Sequence, residues 1–347
     1  MGSCREAAAG KMIENGLMNR EWSVGQLLAA SSAYWRGCAL QAGVRLGVFT
    51  ALHEGSVQLE DVAARIDADL RGTEMLLNAL AAMGLLVKQE SSYANVPAAR
   101  KYLSRASDQY LGHIILHHHH ILDGWAQLDQ AVRRGKPVHK RSYGERVERE
   151  SFLLGMFNLA MGIAPRLSAQ VDLAGRRRLL DLGGGPGTYA IHFCLANPEL
   201  SAVIYDLPTT EPFARQTVDT FGLTARIAFA GGDFNEDPIS GGPYDTAWLS
   251  HILHSHGPDE CRRIIERTVA AMEPGGLILI HEFILDNSGD APEFPALFSL
   301  NMLVNNPAGR SYTEDELTNM LCAAGVRHIV RHPFRGPNDS SILHGTV

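Results

Sequence analysis

Between residues 22 and 50 the apolar side chains Leu27, Leu28, Tyr34, Trp35, Leu40, Val44 and Val48 recur every three or four positions, the repeat of helices with one buried face. From Ala51 the pattern shortens. It predicts one short helix over residues 59–63 and another over residues 73–84. An apolar Leu85-Leu86-Val87, a polar turn over residues 89–92 and a second short run over residues 93–96 follow, and helix, helix, hairpin is a winged-helix outline. Residues 105–170 read as mainly helical, with the charge-dense stretch from Lys140 to Glu150 as a loop or hinge.

After Arg178 the character changes. Seven short apolar runs, at 178–182, 201–205, 226–230, 246–249, 277–281, 327–331 and 341–345, alternate with helical patterns, which predicts a largely parallel sheet covered by helices on both faces. Gly336-Pro337-Asn338-Asp339 is too short for a parallel crossover, so the last strand is expected to run antiparallel. Thr313 followed by Glu316 is a capping box, and Gly325 stands where the helix it opens would end.

A chain of 347 residues is long for one core and comfortable for two domains. An apolar fraction of 45% with 20% charged residues excludes disordered and collagenous classes. The net charge of -7 argues against general nucleic-acid affinity. Within residues 40–105 acidic side chains match basic ones one for one, and the helix in the recognition position is mostly apolar, which suits packing against protein better than a DNA groove. No apolar run approaches the ~20 residues that span a bilayer. The start MGSCREAAAG lacks a secretory apolar segment, and Glu6 stands where a myristoylation motif wants Ser or Thr, so a cytoplasmic location is expected. Cys4, Cys38, Cys194, Cys261 and Cys322 lie far apart with no CxxC, which predicts reduced thiols, mainly core filler.

The strongest chemical signal is Asp181-Leu182-Gly183-Gly184-Gly185-Pro186-Gly187 between a strand and a helix, where glycine lets backbone approach a ligand. A dinucleotide loop would need glycine at 188, where Thr188 stands, so a nucleoside fits better than NAD. About twenty residues on, Asp206 ends the second strand as an acceptor for ribose hydroxyls. Gly231-Gly232-Asp233-Phe234 follows the third strand, with Asp233 placed for an adenine amino group and Phe234 for the ring.

With these pieces in order, the whole chain resembles the small-molecule O-methyltransferases of the caffeic acid and acetylserotonin type. The matching segments are Phe157 and Met161 ahead of the last domain, DLGGGPG at 181–187, YDLP at 205–208, GGDF at 231–234, ILHSHGPDEC at 252–261 and NNPAGRSYTEDEL at 305–317. The resemblance implies an α/β chain of three parts. Residues 1–105 would be a winged-helix-like dimerisation domain and 106–170 a helical linker lining the substrate cavity. Residues 171–347 would be a class I methyltransferase domain with a Rossmann-like seven-stranded sheet. It further implies S-adenosylmethionine as cofactor, S-adenosylhomocysteine as product and a homodimer made through the N-terminal domain. Gly183, Gly185, Asp206, Leu207, Asp233, Phe234 and Ser250 would contact the cofactor, with Met161 near it.

Methyl transfer to a hydroxyl needs the acceptor oxygen relieved of its proton, and an imidazole is a suitable proton acceptor for a phenol. His254 sits where the family has its catalytic histidine, and Glu282 matches the carboxylate that orients it. The chain departs from the family at His254-Ser255-His256, where His-Asp-Trp is frequent, and at Ser311-Tyr312, where a Glu-Arg pair is frequent. A second orienting carboxylate is therefore not expected. The acceptor, a small aromatic molecule, would lie between domains against Phe298, Asn301 and Met302 of one helix, with Trp125 and Phe157 from earlier helices. Leu297 and Leu300 read equally well as core. The run His117 to His120 has no cysteine or carboxylate partner nearby, and no metal is expected there. Alternative readings are a cofactor-binding relative that decarboxylates, hydroxylates or catalyses a pericyclic step, a winged-helix regulator and, most distantly, an NAD-dependent dehydrogenase.

Overall fold

The computed structural model describes residues 22–138 and 145–347. The chain divides into two compact units, one ending at Asp108 and the other running Gln109–Val347.

In the first unit, Val24–Ser32 and Tyr34–Leu46 are the helices that the spacing predicts, the former opened by a Ser23/Gln26 capping box. Helices Leu59–Arg65 and Leu70–Ala82 follow. Asp69 caps the second by accepting from the Gly72 N–H, and Thr73, Leu77 and Leu80 share its buried face. Strands β1 (Val57–Gln58), β2 (Leu86–Gln89) and β3 (Ser92–Asn95) form an antiparallel sheet in the order β1-β3-β2, so the expected hairpin is present.

The second unit opens with helices Gly112–His120, Leu122–Trp125, Leu128–Arg134 and Glu145–Ser168. The expected loop or hinge at Lys140 to Glu150 is corrected in part: its first residues lie outside those described, while Glu145 to Glu150 are the opening turns of the last of these helices. Glutamate and arginine are strong helix formers, and acids are favoured at a helix start.

Strands β4 (Arg178–Leu182), β5 (Ser201–Asp206), β6 (Ile227–Gly231), β7 (Tyr244–Ser250), β8 (Met272–Glu282), β9 (Arg327–Arg335) and β10 (Ser341–Thr346) follow. They build a seven-stranded sheet in the order β6-β5-β4-β7-β8-β10-β9. β10 alone runs opposite to the other six strands, wedged between β8 and β9, as the short Gly336–Asp339 connection requires.

Alternate residues of each central strand feed different cores, which is why these strands read as continuous apolar runs. Leu179, Trp248 and Leu279 face one layer with helix Thr188–Ala196 and the end of Glu145–Ser168, whereas Leu180, Leu249 and Ile280 face the other with helices Pro258–Ala270 and Glu314–Ala323. Each fully buried Leu or Ile contributes about 1.5–3 kcal/mol. The Thr313/Glu316 capping box is formed, and Gly325 follows the helix at φ 93°.

Of the cysteines, Cys194 and Cys261 are core, Cys38 is half-buried and Cys322 is exposed, so core filling accounts for two of them; Cys4 lies outside the described residues. Among the described residues no helix is long and apolar enough to cross a membrane.

Candidate active site

Parallel strands set side by side open their C-terminal ends onto one rim, and the candidate residues gather there because each follows its strand directly. β4 runs into the glycine loop. Gly187 caps the helix Thr188–Ala196 at φ 79°, a left-handed conformation that favours glycine, and a Cβ on it would push on the Ile204 side chain. Gly185, at φ 54°, faces open space: a Cβ there would meet nothing within 4 Å, which leaves its backbone approachable by a ligand.

Asp206 ends β5 facing that loop. One carboxylate oxygen accepts from the Gly185 N–H (2.8 Å), the other from the Leu207 N–H (2.7 Å) and the Thr210 hydroxyl (3.0 Å). Leu207 itself is exposed. After β6, Asp233 accepts from the Asn235 backbone and amide through one oxygen. Phe234 packs at the glycine loop, its ring edge 3.5 Å from where a Gly183 side chain would begin. Gly183, Gly185, Asp206, Asp233 and Phe234 are thus brought to one rim. Beneath it Asp181 is enclosed. Burial raises its carboxyl to about 7 against the opposing Ala190 N–H bond, with Asp206 adding to the rise.

Ser250 closes β7 and shares hydrogen bonds with Tyr189 and His281 (3.0 Å to Nδ1). His281 is fully buried, with its other nitrogen 3.1 Å from the Ser340 hydroxyl; burial and the neighbouring His251 hold it well below the ordinary imidazole range.

The pairing of β7 with β8 sets Ser250 opposite His281, so the next residue of β8, Glu282, meets the turn Leu253–Ser255 that follows β7. His254 Nδ1 lies 2.8 Å from Glu282 Oε2, and the His254 backbone N–H donates to Oε1 at 3.3 Å. Burial pushes the Glu282 carboxyl up, but His254 and His251 more than offset it and hold the group well below the usual carboxylate range. The expected pair of His254 and Glu282 is therefore joined, and the carboxylate is ionised.

The segment after helix Glu293–Asn305 clamps this turn through its main chain. The Asn306 amide donates to Ser255 O (2.8 Å), the Arg310 N–H to His254 O (2.8 Å) and the Tyr312 hydroxyl to His256 O (2.5 Å). The Ser311 hydroxyl donates to Pro295 O at 2.8 Å and ties down the helix that faces the histidine.

On that helix Phe298 lies 4.9 Å from the His254 ring, and Phe283 and Phe294 complete an aromatic wall, 4.6 and 5.0 Å apart from Phe298 and Phe283 respectively. Trp125 donates to the Asn301 side chain at 3.0 Å, and Met302 is buried beside Asn301. Phe157 stands elsewhere, in a 240 Å³ cavity with Pro186 of the glycine loop and Phe213. Met161 is half-buried one turn further along the same helix. Leu297, which reads as core in the sequence, is 46% exposed.

Two neighbours of His254 escape the sequence reading. His251 lies with its ring 4.4 Å from His281 and Nδ1 3.5 Å from Glu282, and Phe283 covers it at 4.6 Å. Both flank residues already singled out, and only the strand register shows that they share the site.

Residues 121–327 match the O-methyltransferase domain family, and residues 28–105 the O-methyltransferase dimerisation domain. The chain is 33% identical to the 3-hydroxy-5-methyl-1-naphthoate 3-O-methyltransferase of Streptomyces sahachiroi, over 91% of this chain and 93% of that one. It is 32% identical to the tetracenomycin polyketide synthesis 8-O-methyl transferase of Streptomyces glaucescens, over 92% and 96%. Its structure is similar to human N-acetylserotonin methyltransferase in complex with SAM, with a TM-score of 0.82 at 25% identity, covering 95% of this chain and 99% of that one.

Proposed function

From the premise that the chain belongs to the S-adenosylmethionine-dependent O-methyltransferases, we propose that it methylates a hydroxyl of a polycyclic aromatic small molecule, with His254 as general base. The observation that carries this reading is the His254–Glu282 pair set against the wall of Phe283, Phe294 and Phe298.

The cofactor supplies a methyl group activated on a sulfonium. The glycine loop fits such a nucleoside: Gly185 is open where a side chain would intrude, and Asp206 is fixed facing it. We assign Gly183, Gly185, Asp206, Leu207, Asp233, Phe234 and Ser250 to its binding, with Met161 nearby. A hydrogen bond from Nδ1 to the ionised Glu282 leaves the other His254 nitrogen, Nε2, as the proton acceptor. As the acceptor hydroxyl loses its proton to Nε2, Glu282 stabilises the imidazolium, and the enclosing aromatic rings exclude water. Such a base contributes typically about 10²–10⁴-fold.

The flat wall suits fused aromatic rings, in keeping with the naphthoate and tetracenomycin relatives. We read Phe298, Asn301, Met302 and Trp125 as acceptor contacts; Phe157 lines a separate cavity beside Pro186 of the glycine loop and is left out of that set. The first unit, with its dimerisation-domain match, we read as a winged-helix-like module that forms a homodimer.

The test is incubation with methyl-deuterated S-adenosylmethionine and a panel of hydroxynaphthoates and phenolic polycycles, followed by mass spectrometry. Label is expected on a hydroxyl of at least one acceptor. His254→Ala should lose about 10²–10⁴-fold in rate while binding S-adenosylhomocysteine as the parent does. Full activity in that variant would remove His254 as the base.

A further inference from the structure

The second histidine on Glu282 has no part in the chemistry above. His251 Nδ1 is buried and has no hydrogen-bond partner, although it lies 3.5 Å from the Glu282 carboxylate. Its backbone is fixed at φ 56°, in the left-handed region, by an N–H bond to His281 O at 2.9 Å, while the ring can still rotate about its side-chain bonds. His251 thus packs on His281 and Phe283 with Nδ1 turned toward the carboxylate that His254 already bonds.

His251, His254 and Glu282 together present two imidazole nitrogens and a carboxylate oxygen, all within 4.8 Å of one another. Tetrahedral zinc, with bonds of about 2.0–2.1 Å, holds its ligand atoms roughly 3.3 Å apart. The Glu282 oxygen is already 2.8 Å from His254 Nδ1 and 3.5 Å from His251 Nδ1, and side-chain rotation of His251 closes the remaining gap. Nitrogen with carboxylate oxygen is a donor set for borderline divalent ions such as Zn²⁺ and Co²⁺ rather than for Mg²⁺ or Ca²⁺. Phe283 and Phe298 supply the apolar surround that raises the worth of such bonds.

The geometry points to an inhibitory divalent-metal site formed by His251, His254 and Glu282, in which a zinc-like ion switches off the base. A neutral imidazole carries one ring proton. With Nδ1–H bonded to Glu282, the Nε2 lone pair is free; with a metal on Nδ1, the proton resides on Nε2 and no lone pair is left to accept the acceptor's proton. The metal also takes the carboxylate that would stabilise the imidazolium. Binding stands on the geometry of the three ligands alone, and inhibition rests on the reading of His254 as base.

Titration of the metal-stripped enzyme with Co²⁺ tests binding without reference to activity. One ion per chain is expected, with the visible absorption of four- or five-coordinate cobalt and displacement by Zn²⁺. His251→Asn, which tolerates a positive φ, should weaken binding at least about tenfold with an unchanged unfolding midpoint, and His251→Gln should do the same. A variant with His117, His118, His119 and His120 all replaced by Gln should bind as the parent does. The site is overturned by absent cobalt absorption, by equal affinity in His251→Asn, or by loss of binding only when the His117–His120 run is replaced. Once an acceptor is known, Zn²⁺ should abolish methyl transfer reversibly with a chelator, at concentrations raised at least about tenfold for His251→Asn. Tight metal binding that leaves methyl transfer intact overturns the switch while keeping the site.

Discussion

Glu282 and Asp181 are both enclosed carboxyls, and their surroundings drive them in opposite directions. Glu282 is lowered because two histidines outweigh its burial, so its contribution to stability is present above the ordinary carboxylate value of 4.5 and is lost as pH falls below it. Glu282→Gln should therefore destabilise the protein at pH 7, by an amount that shrinks as the denaturant titration is repeated at lower pH. The same variant should lower kcat by about 10²-fold or more, since a neutral amide orients His254 without stabilising its charge. Asp181 is raised from 3.8 to about 7, so its stabilising effect is complete below pH 3.8 and lost as pH rises through 7. Between those limits the wild type should lose on the order of 4 kcal/mol relative to Asp181→Asn, measured as the difference in urea unfolding free energy at each pH. A constant difference across that range would show that Asp181 ionises normally.

At the level of elements, the turn after β7 is held less by its own side chains than by the main-chain bonds from residues 306–312. A Cβ on Gly309 would stand 2.5 Å from the His254 carbonyl, the oxygen that also accepts from Arg310. Gly309→Ala should displace the base turn and cut kcat by about tenfold or more, because misplacement on the scale of 1 Å costs as much as 10²-fold. Affinity for S-adenosylhomocysteine, read by calorimetry, should stay unchanged. Tyr312→Phe removes one bond to His256 O and one from the Cys261 thiol, and should cost about 1 kcal/mol of unfolding free energy. These contacts show where sequence reading stops. β4 to β10 were legible because both faces of each central strand are buried and turn residues punctuate them, and the rim residues were legible because each directly follows a strand. His251 and Phe283 were not, since nothing in their own sequence surroundings marks the carboxylate or ring that the β7–β8 register brings to them. The role of Tyr312 was equally hidden, because a hydroxyl bonding a distant carbonyl leaves no periodic trace.

For the molecule as a whole, the helices Val24–Ser32 and Tyr34–Leu46 leave Val24, Leu27, Leu28, Tyr34 and Trp35 more than half exposed, with Trp22 beside them. Helix Val24–Ser32 buries no residue at all, although its spacing and capping box are those of a helix built to pack. An isolated helix of this length is marginal in water, since most helical stability in proteins comes from packing an apolar face. Contiguous apolar surface of this kind marks an interaction site, and the dimerisation-domain match begins within this helix, at residue 28. The homodimer we propose would cover this surface with a second copy of the chain. Leu28→Glu combined with Trp35→Glu would place charge in the buried centre of that contact, where an unpaired carboxylate is strongly disfavoured. Light scattering coupled to size exclusion should then report a dimer for the wild type and a monomer for the variant, and circular dichroism should lose the signal of these helices while the second unit keeps its unfolding transition. A dimer that survives both glutamates would place the contact on another face of the first unit and leave the exposed row without its partner.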